Sequence, residues 1–230
     1  MYKNKIILIT GGSSGLGKQI ALAYAREKGL IINLARNKEK LLTVNNKLSN
    51  LNKLDNKYFS VDVSDYNSIL DVKKEMVSNK LLPDIIINNA AGNFLCPLEK
   101  ISENGWKRII DIVLNGSFNI YHIFGKELIK QKRRATFLNI STTYSENSSA
   151  LVIPSACAKA GVDNLMRGLT TEWSHYGLRF VGIAPGPINN SGGLDKLDPM
   201  GFFKYYNNNY RPIYHLENYM FYLIKKIHGI

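Results

Sequence analysis

The stretch TGGSSGLG, Thr10 to Gly17, follows the apolar run Ile6 to Thr10. It precedes Leu16 to Lys28, where apolar residues recur at helical spacing. Gly11, Gly15 and Gly17 stand in a G-x-x-x-G-x-G pattern. Glycine lets a backbone turn sharply and approach another group closely. A helix starting at such a turn offers free N–H groups to an anion. Strand, glycine turn and helix, in that order, predict a phosphate cradle for a dinucleotide. Gly11, Ser13, Ser14, Gly15, Leu16 and Gly17 would surround the phosphates.

The same alternation continues outward. Apolar runs at Leu30 to Ala35, Tyr58 to Val61, Ile85 to Asn88, Thr136 to Ile140 and Arg179 to Ala184 are separated by helical patterns. Among these are a helix from Glu103 to Val113 that runs on towards Lys130, and another from Ser155 to Ser174. Strands that are apolar throughout, rather than alternating, are expected where both faces of a sheet are covered. The pattern predicts one α/β domain over residues 1–230: a Rossmann-type, doubly wound parallel sheet in three αβα layers. Such sheets bind ligands beyond the carboxyl ends of their strands.

Composition narrows the ligand. The chain of 230 residues is 45% hydrophobic and 21% charged, which fits a globular domain with a sizeable core. No apolar run approaches the roughly 18 residues of a membrane span. The net charge of +12 suits a polyanionic ligand. The basic residues are dispersed and accompany no nucleic-acid-binding motif, so no nucleic acid is expected as partner. Two cysteines, Cys96 and Cys157, form no disulfide framework, and Cys157 is expected as a packed thiol. Four scattered histidines show no ligand spacing, so no metal is expected.

The second apolar run ends at Arg36. An acidic residue there would hydrogen-bond the ribose 2′-OH of NAD, whereas arginine can pair with the 2′-phosphate of NADP. Asp62, in SVDVS after the third run, is placed to meet the adenine amino group. NADPH is therefore the expected cofactor.

TGGSSGLG, NNAAG (Asn88 to Gly92), Asn115, NIST (Asn139 to Thr142), SACAKAG and PGPI (Pro185 to Ile188) together resemble the short-chain dehydrogenase/reductases. The resemblance covers nearly the whole chain. It implies that Asn89, Ala90, Lys159, Pro185, Gly186, Pro187 and Ile188 also bind cofactor. Asn115 and Thr142 match support positions.

The longer stretches NNAAGNFLCPLEKIS, STTYSENSSALVIPSACAKAGV and EWSHYGLRF resemble one group within that family, the 2,4-dienoyl-CoA reductases, and among them the mitochondrial type. Most of the family carries tyrosine four residues before the lysine. Here that position is Ser155, and TTYSE supplies Tyr144 upstream. The peroxisomal relatives lack this tyrosine. Ser155 and Lys159, four apart on a helix, share one face. Tyr144 would leave the strand Thr136 to Ile140 at its carboxyl end, over the cofactor.

The resemblance implies NADPH-dependent hydride transfer to a 2,4-dienoyl-CoA, giving a trans-3-enoyl-CoA in auxiliary β-oxidation. Catalytic residues would be Tyr144, Lys159, Asn93 and Ser155, with Asn93 and Tyr144 holding the thioester oxygen as charge develops on it. Asn93, Phe94, Ser102, Tyr144 and Lys196 would line the acyl-CoA path. Lys196 stands where the group has an arginine for a CoA phosphate, keeping the charge and losing the bidentate fork.

The resemblance also implies a mitochondrial setting, although no presequence is visible; cytosolic and peroxisomal settings are the alternatives. Past Gly201 the likeness thins, although Leu216 to Ile227 has a helical pattern. The family's final strand, which completes the sheet and helps build a homotetramer, has no counterpart here. The strand Arg179 to Ala184 is therefore expected as an open edge, and tetramer formation is weakened. Two other functions stand beside the leading one. One is a short-chain reductase acting on another carbonyl or acyl-CoA. The other is a truncated, inactive cofactor-binding protein.

Overall fold

The computed structural model describes residues 2–186; Pro187, Ile188, Lys196 and the expected helix over Leu216 to Ile227 lie outside the described residues. Six strands form one sheet: β1 (Ile6–Thr10), β2 (Leu30–Ala35), β3 (Lys57–Ser60), β4 (Ile85–Asn88), β5 (Ala135–Ile140) and β6 (Leu178–Ile183). Their order is β3-β2-β1-β4-β5-β6, and every pairing is parallel. The doubly wound α/β expectation is met.

Helices α1 (Gly15–Arg26) and α2 (Lys38–Asn52) cover one face. Ile20, Tyr24, Val44 and Leu48 from these helices pack on Ile7, Ile9, Ile31 and Ile87. The other face carries α3 (Tyr66–Ser78), α5 (Gly116–Lys130) and α7 (Ile153–Trp173). Ile69, Met76, Phe124, Ala158 and Val162 pack there on Leu8, Ile32, Ile86 and Phe137. Odd and even positions of each strand thus serve different cores. This is why IILIT, LIINLA and IIIN are apolar throughout.

Local chemistry sets the helix starts. Asn37 accepts from the Lys40 N–H at 2.8 Å and caps α2; Asp65 accepts from Asn67 and Ser68 and caps α3. Pro154 sits in the first turn of α7, where its missing N–H costs nothing. The rod expected from Glu103 towards Lys130 is divided. It comprises α4 (Glu103–Ile110), a wide turn at Asp111–Asn115 and α5. In the wide turn the Gly116 N–H reaches back to the Asp111 carbonyl, five residues before it. Gly161 of α7 faces this turn, and a Cβ there would stand 3.1 Å from the Leu114 side chain.

The sheet reverses direction between β1 and β4, which opens a crevice beyond their carboxyl ends. Buried Asn88 ties the sheet to α5 there. Its amide donates to Ser117 Oγ (2.7 Å) and to Asn139 Oδ1 (3.1 Å). Among the described residues no strand pairs with the outer edge of β6.

Candidate active site

The crevice begins at the turn between β1 and α1. Gly11 and Gly15 have φ of +69° and +50°, which favours glycine. Gly17 has no room for a side chain: a Cβ would stand 2.4 Å from the Gly11 carbonyl oxygen. Ser14 precedes α1 in extended conformation and its side chain makes no capping bond. The first N–H groups of α1 therefore receive no cap from Ser14, an arrangement that could hold an anion.

Opposite them, Asn89 Nδ2 donates to the Thr10 carbonyl (3.0 Å), and the Ala90 N–H donates to Thr10 Oγ1 (2.9 Å). These bonds lock the exits of β1 and β4 side by side. A tight glycine backbone with uncapped helix donors fits a dinucleotide pyrophosphate.

Arg36 is exposed at the end of β2, and among the described residues it has no carboxylate partner. Asp62 is more committed. Its carboxylate accepts from Ser64 Oγ (2.7 Å) and pairs with Arg108 at 2.9 Å. Burial would raise the Asp62 pKa, but the Ser64 hydrogen bonds and the Arg108 guanidinium outweigh burial and hold it below the usual carboxylate range. Pro185 and Gly186 follow β6 at the same end of the sheet.

The side chains expected to act in catalysis meet beyond β4 and β5, beside α7. Tyr144 begins α6 (Tyr144–Asn147), a single turn after β5. Its hydroxyl lies 3.2 Å from Ser155 Oγ and receives Asn93 Nδ2 at 3.3 Å. Asn93 is held by its own loop, because its Oδ1 accepts from the Phe94 N–H at 2.9 Å. Ser155 is buried and Tyr144 and Asn93 are half-buried. The structure therefore joins three of the residues singled out in the sequence.

Lys159, one turn along α7 from Ser155, is buried and donates to the carbonyl of Ile140, the last residue of β5. Burial lowers its pKa from 10.5 to about 8, and the nearby Asp163 opposes that shift. Lys159 thus joins the site through the strand end.

Phe94 and Ser102 flank this cluster. Phe94 is exposed, and Ser102 caps α4 by accepting from the Gly105 N–H at 3.1 Å. Gly105 faces the tip of the Phe94 ring, so the cap and the ring share one wall. Cys157, expected as packed, is exposed. Two residues along a helix turn a side chain through about 200°, so Cys157 points away from the face of Ser155 and Lys159. A cavity of about 570 Å³ lies behind Thr142, lined by Ser141, Glu146, Asp163, Arg167 and Phe180 rather than by Asn93 or Tyr144. Arg108 and Asp163 were not legible as site residues, although Asp163 stands at the i+4 position from Lys159, where charge pairs form on helices. Among the described residues no cluster of side chains could hold a metal, and no helix is long and apolar enough to cross a membrane.

A doubly wound parallel sheet with a glycine turn at its switch point, and a lysine anchored at the end of β5, defines a Rossmann-type α/β architecture. Residues 5–199 match the family model for short chain dehydrogenases, and the chain belongs to that family. A Caenorhabditis elegans relative named as a probable 2,4-dienoyl-CoA reductase, (3E)-enoyl-CoA-producing, is 38% identical over 86% of this chain and 64% of its own length. The chain thus spans less than two thirds of that relative. A Bacillus subtilis relative named as a probable 2,4-dienoyl-CoA reductase, (2E)-enoyl-CoA-producing, is 42% identical over 85% of this chain and 77% of its own. The peroxisomal 2,4-dienoyl-CoA reductase of Pongo abelii is 32% identical, over 86% and 67% respectively. The crystal structure of a short chain dehydrogenase from Bacillus anthracis superposes with a TM-score of 0.79 at 38% identity, over 84% of this chain and 77% of that one.

Proposed function

We propose that the protein is an NADPH-dependent oxidoreductase that reduces 2,4-dienoyl-CoA thioesters. The carrying observation is the hydrogen-bonded set Asn93, Tyr144 and Ser155, with serine rather than tyrosine four residues before Lys159. The relatives' names support the substrate class.

NADPH supplies the hydride. Gly11 to Gly17 would hold its pyrophosphate, Arg36 its 2′-phosphate, and Lys159 with Ser155 its nicotinamide ribose. Asn89, Ala90 and the segment from Pro185 to Ile188 would complete the cofactor wall. Asp62 would face the adenine while remaining paired with Arg108.

Hydride addition at the δ carbon moves two double bonds and places negative charge on the thioester oxygen. Tyr144 O–H and Asn93 N–H are the donors available to that oxygen. They are fixed beforehand by each other and by the Phe94 N–H, so little reorganisation is needed as charge develops. A proton delivered from beside the oxygen reaches the α carbon before the γ carbon. α-Protonation leaves the 3,4 double bond, so the product is the trans-3-enoyl-CoA rather than the 2-enoyl isomer.

Phe94, Ser102 and Lys196 would border the acyl-CoA path. The family likeness implies a homotetramer. Tyr144 supports the mitochondrial type and a role in β-oxidation of unsaturated fatty acids, while the relatives named above include a peroxisomal and a bacterial protein and point to no single compartment.

The test is NADPH oxidation with 2,4-hexadienoyl-CoA, with the product isomer identified by NMR. Tyr144→Phe should lower kcat about 100- to 1,000-fold, the cost of one lost oxyanion donor, with NADPH affinity little changed. A folded, NADPH-binding protein that does not turn over the dienoyl-CoA would refute the proposal.

A further inference from the structure

Three successive residues at the end of β5 are bonded to a single turn of α7. Ser141 Oγ donates to Asp163 Oδ2 at 2.7 Å, and Asn139 Nδ2 approaches Asp163 Oδ1 at 3.4 Å. Between them, the Ile140 carbonyl accepts from Lys159. Lys159 and Asp163 are four residues apart and therefore lie on one face of the helix. The network extends forward from Ser141, whose Oγ lies 3.4 Å from Ser145 Oγ; Ser145 Oγ also donates to the Thr142 carbonyl at 2.9 Å. Ser145 is the neighbour of Tyr144 in the turn that presents the hydroxyl.

We infer that Asp163 is a positioning residue, which clamps the exit of β5 to α7 and thereby sets both the Lys159 ammonium and the Tyr144 hydroxyl. The inference rests on the roles proposed above for Tyr144 and Lys159. Its physical origin is the place of the tyrosine. A tyrosine four residues before the lysine would be held in register by the helix itself. Tyr144 lies on a different element from Lys159, so beyond its own contact with Ser155 their relative position depends on what fixes the β5 exit against α7. The described hydrogen bonds doing this run through Asp163 and Lys159.

The charge of Asp163 has a second effect. It opposes the loss of the Lys159 proton caused by burial. The elements packed against α7 carry other ionisable groups: Tyr144 and Glu146 on α6, Asp111 on the wide turn, Glu103, Lys107 and Arg108 on α4, Tyr121, His122, Lys126, Glu127 and Lys130 on α5, His175 and Tyr176 in the turn after α7, and Arg179 on β6. Asp111 accepts from Asn115, Arg108 is paired with Asp62, and Tyr121 is buried with its pKa raised by burial. Asp163 is the group whose field acts on Lys159.

Asp163→Asn keeps the size of the side chain and removes its charge; Asp163→Ala also removes the clamp. The first measurement needs neither cofactor nor substrate. Protein carrying [ε-13C]lysine is titrated by NMR, with the Lys159 signal assigned by its absence from Lys159→Met. In Asp163→Asn the Lys159 inflection near pH 8 should move to lower pH. The second measurement is turnover of dienoyl-CoA. Asp163→Ala should lower kcat about 10- to 100-fold, the usual scale for a misplaced reacting group, with KM nearly constant. In a Tyr144→Phe background that loss should shrink to roughly two-fold, because residues that act as a unit are not additive.

An unchanged Lys159 inflection in folded Asp163→Asn overturns the inference, and so does a full additional loss in the Tyr144→Phe background. If the wild type turns over no dienoyl-CoA, the reductase proposal fails. The lysine titration then decides the place of Asp163 without it.

Discussion

Lys159→Met should separate the stability of the fold from its function. The wild-type lysine is 4% exposed and its pKa falls from 10.5 to about 8, chiefly through burial. At about 1.4 kcal/mol per pH unit, keeping this amine protonated inside the fold costs roughly 3 kcal/mol at pH 7. Methionine fills similar space without charge. Against that gain, the Ile140 carbonyl loses its donor, which costs about 1–3 kcal/mol. The net expectation at pH 7 is a variant as stable as the wild type or up to about 2 kcal/mol more stable.

The pH dependence is the sharper test. Between pH 8 and 10.5 the unfolded chain keeps this proton while the folded chain sheds it, so wild-type stability should rise with pH by up to about 1.4 kcal/mol per unit. The variant lacks that contribution. Tyr2 and Tyr24, whose burial raises their pKa values, are common to both proteins and cancel in the difference. Urea unfolding at pH 7, 8, 9 and 10, without cofactor, gives the comparison. The wild type should gain on the variant by about 2.5 kcal/mol over the full range. Parallel stability curves would refute the reasoning, because the lysine would then not be paying a desolvation cost. The same variant should bind NADPH more weakly and turn over poorly, as expected where a site is held at the expense of stability.

Two further outcomes follow from the cradle. Arg36→Ala should weaken NADPH binding about ten-fold and leave NADH binding within roughly two-fold, the pattern of a lost 2′-phosphate partner, measurable by nucleotide fluorescence. Gly17→Ala should abolish nucleotide binding and lower the melting temperature. Its Cβ would stand 2.4 Å from the Gly11 carbonyl oxygen, a backbone atom with nowhere to go. Normal NADPH affinity in this variant would show that the turn is not the phosphate site.

The sheet was legible because its signals are local. Continuous apolar runs such as IILIT and IIIN declare strands covered on both faces, and the glycine turn marks where the first helix begins. Strand limits were recovered to within a residue, as at Lys57–Ser60 against the expected Tyr58 to Val61. The wide turn at Asp111–Asn115 left no such trace, since apolar spacing runs through it unbroken. The meeting of Tyr144 with Ser155 could be expected because serine stands four residues before Lys159 and TTYSE supplies a tyrosine upstream. The anchoring of Lys159 to Ile140, and of Asp163 to Ser141 and Asn139, could not. Those bonds join residues on different elements, and periodicity within one element says nothing about a neighbour 20 or so residues away. The Arg108–Asp62 pair, 46 residues apart in sequence, was hidden for the same reason. Cys157 was misjudged by composition, although counting 100° per residue from Ser155 would have turned it outward.

That outward thiol has a practical consequence. Among the described residues Cys157 and Cys96 are the two free thiols, and only Cys157 is fully exposed. It stands in the same turn of α7 as Ser155 and Lys159, on the opposite side of the helix. In a Cys96→Ser background, a fluorophore or spin label at Cys157 would ride on α7 without entering the crevice. The protein thus carries its own attachment point for following, by spectroscopy and in real time, whether the proposed cofactor and dienoyl-CoA change the surroundings of α7.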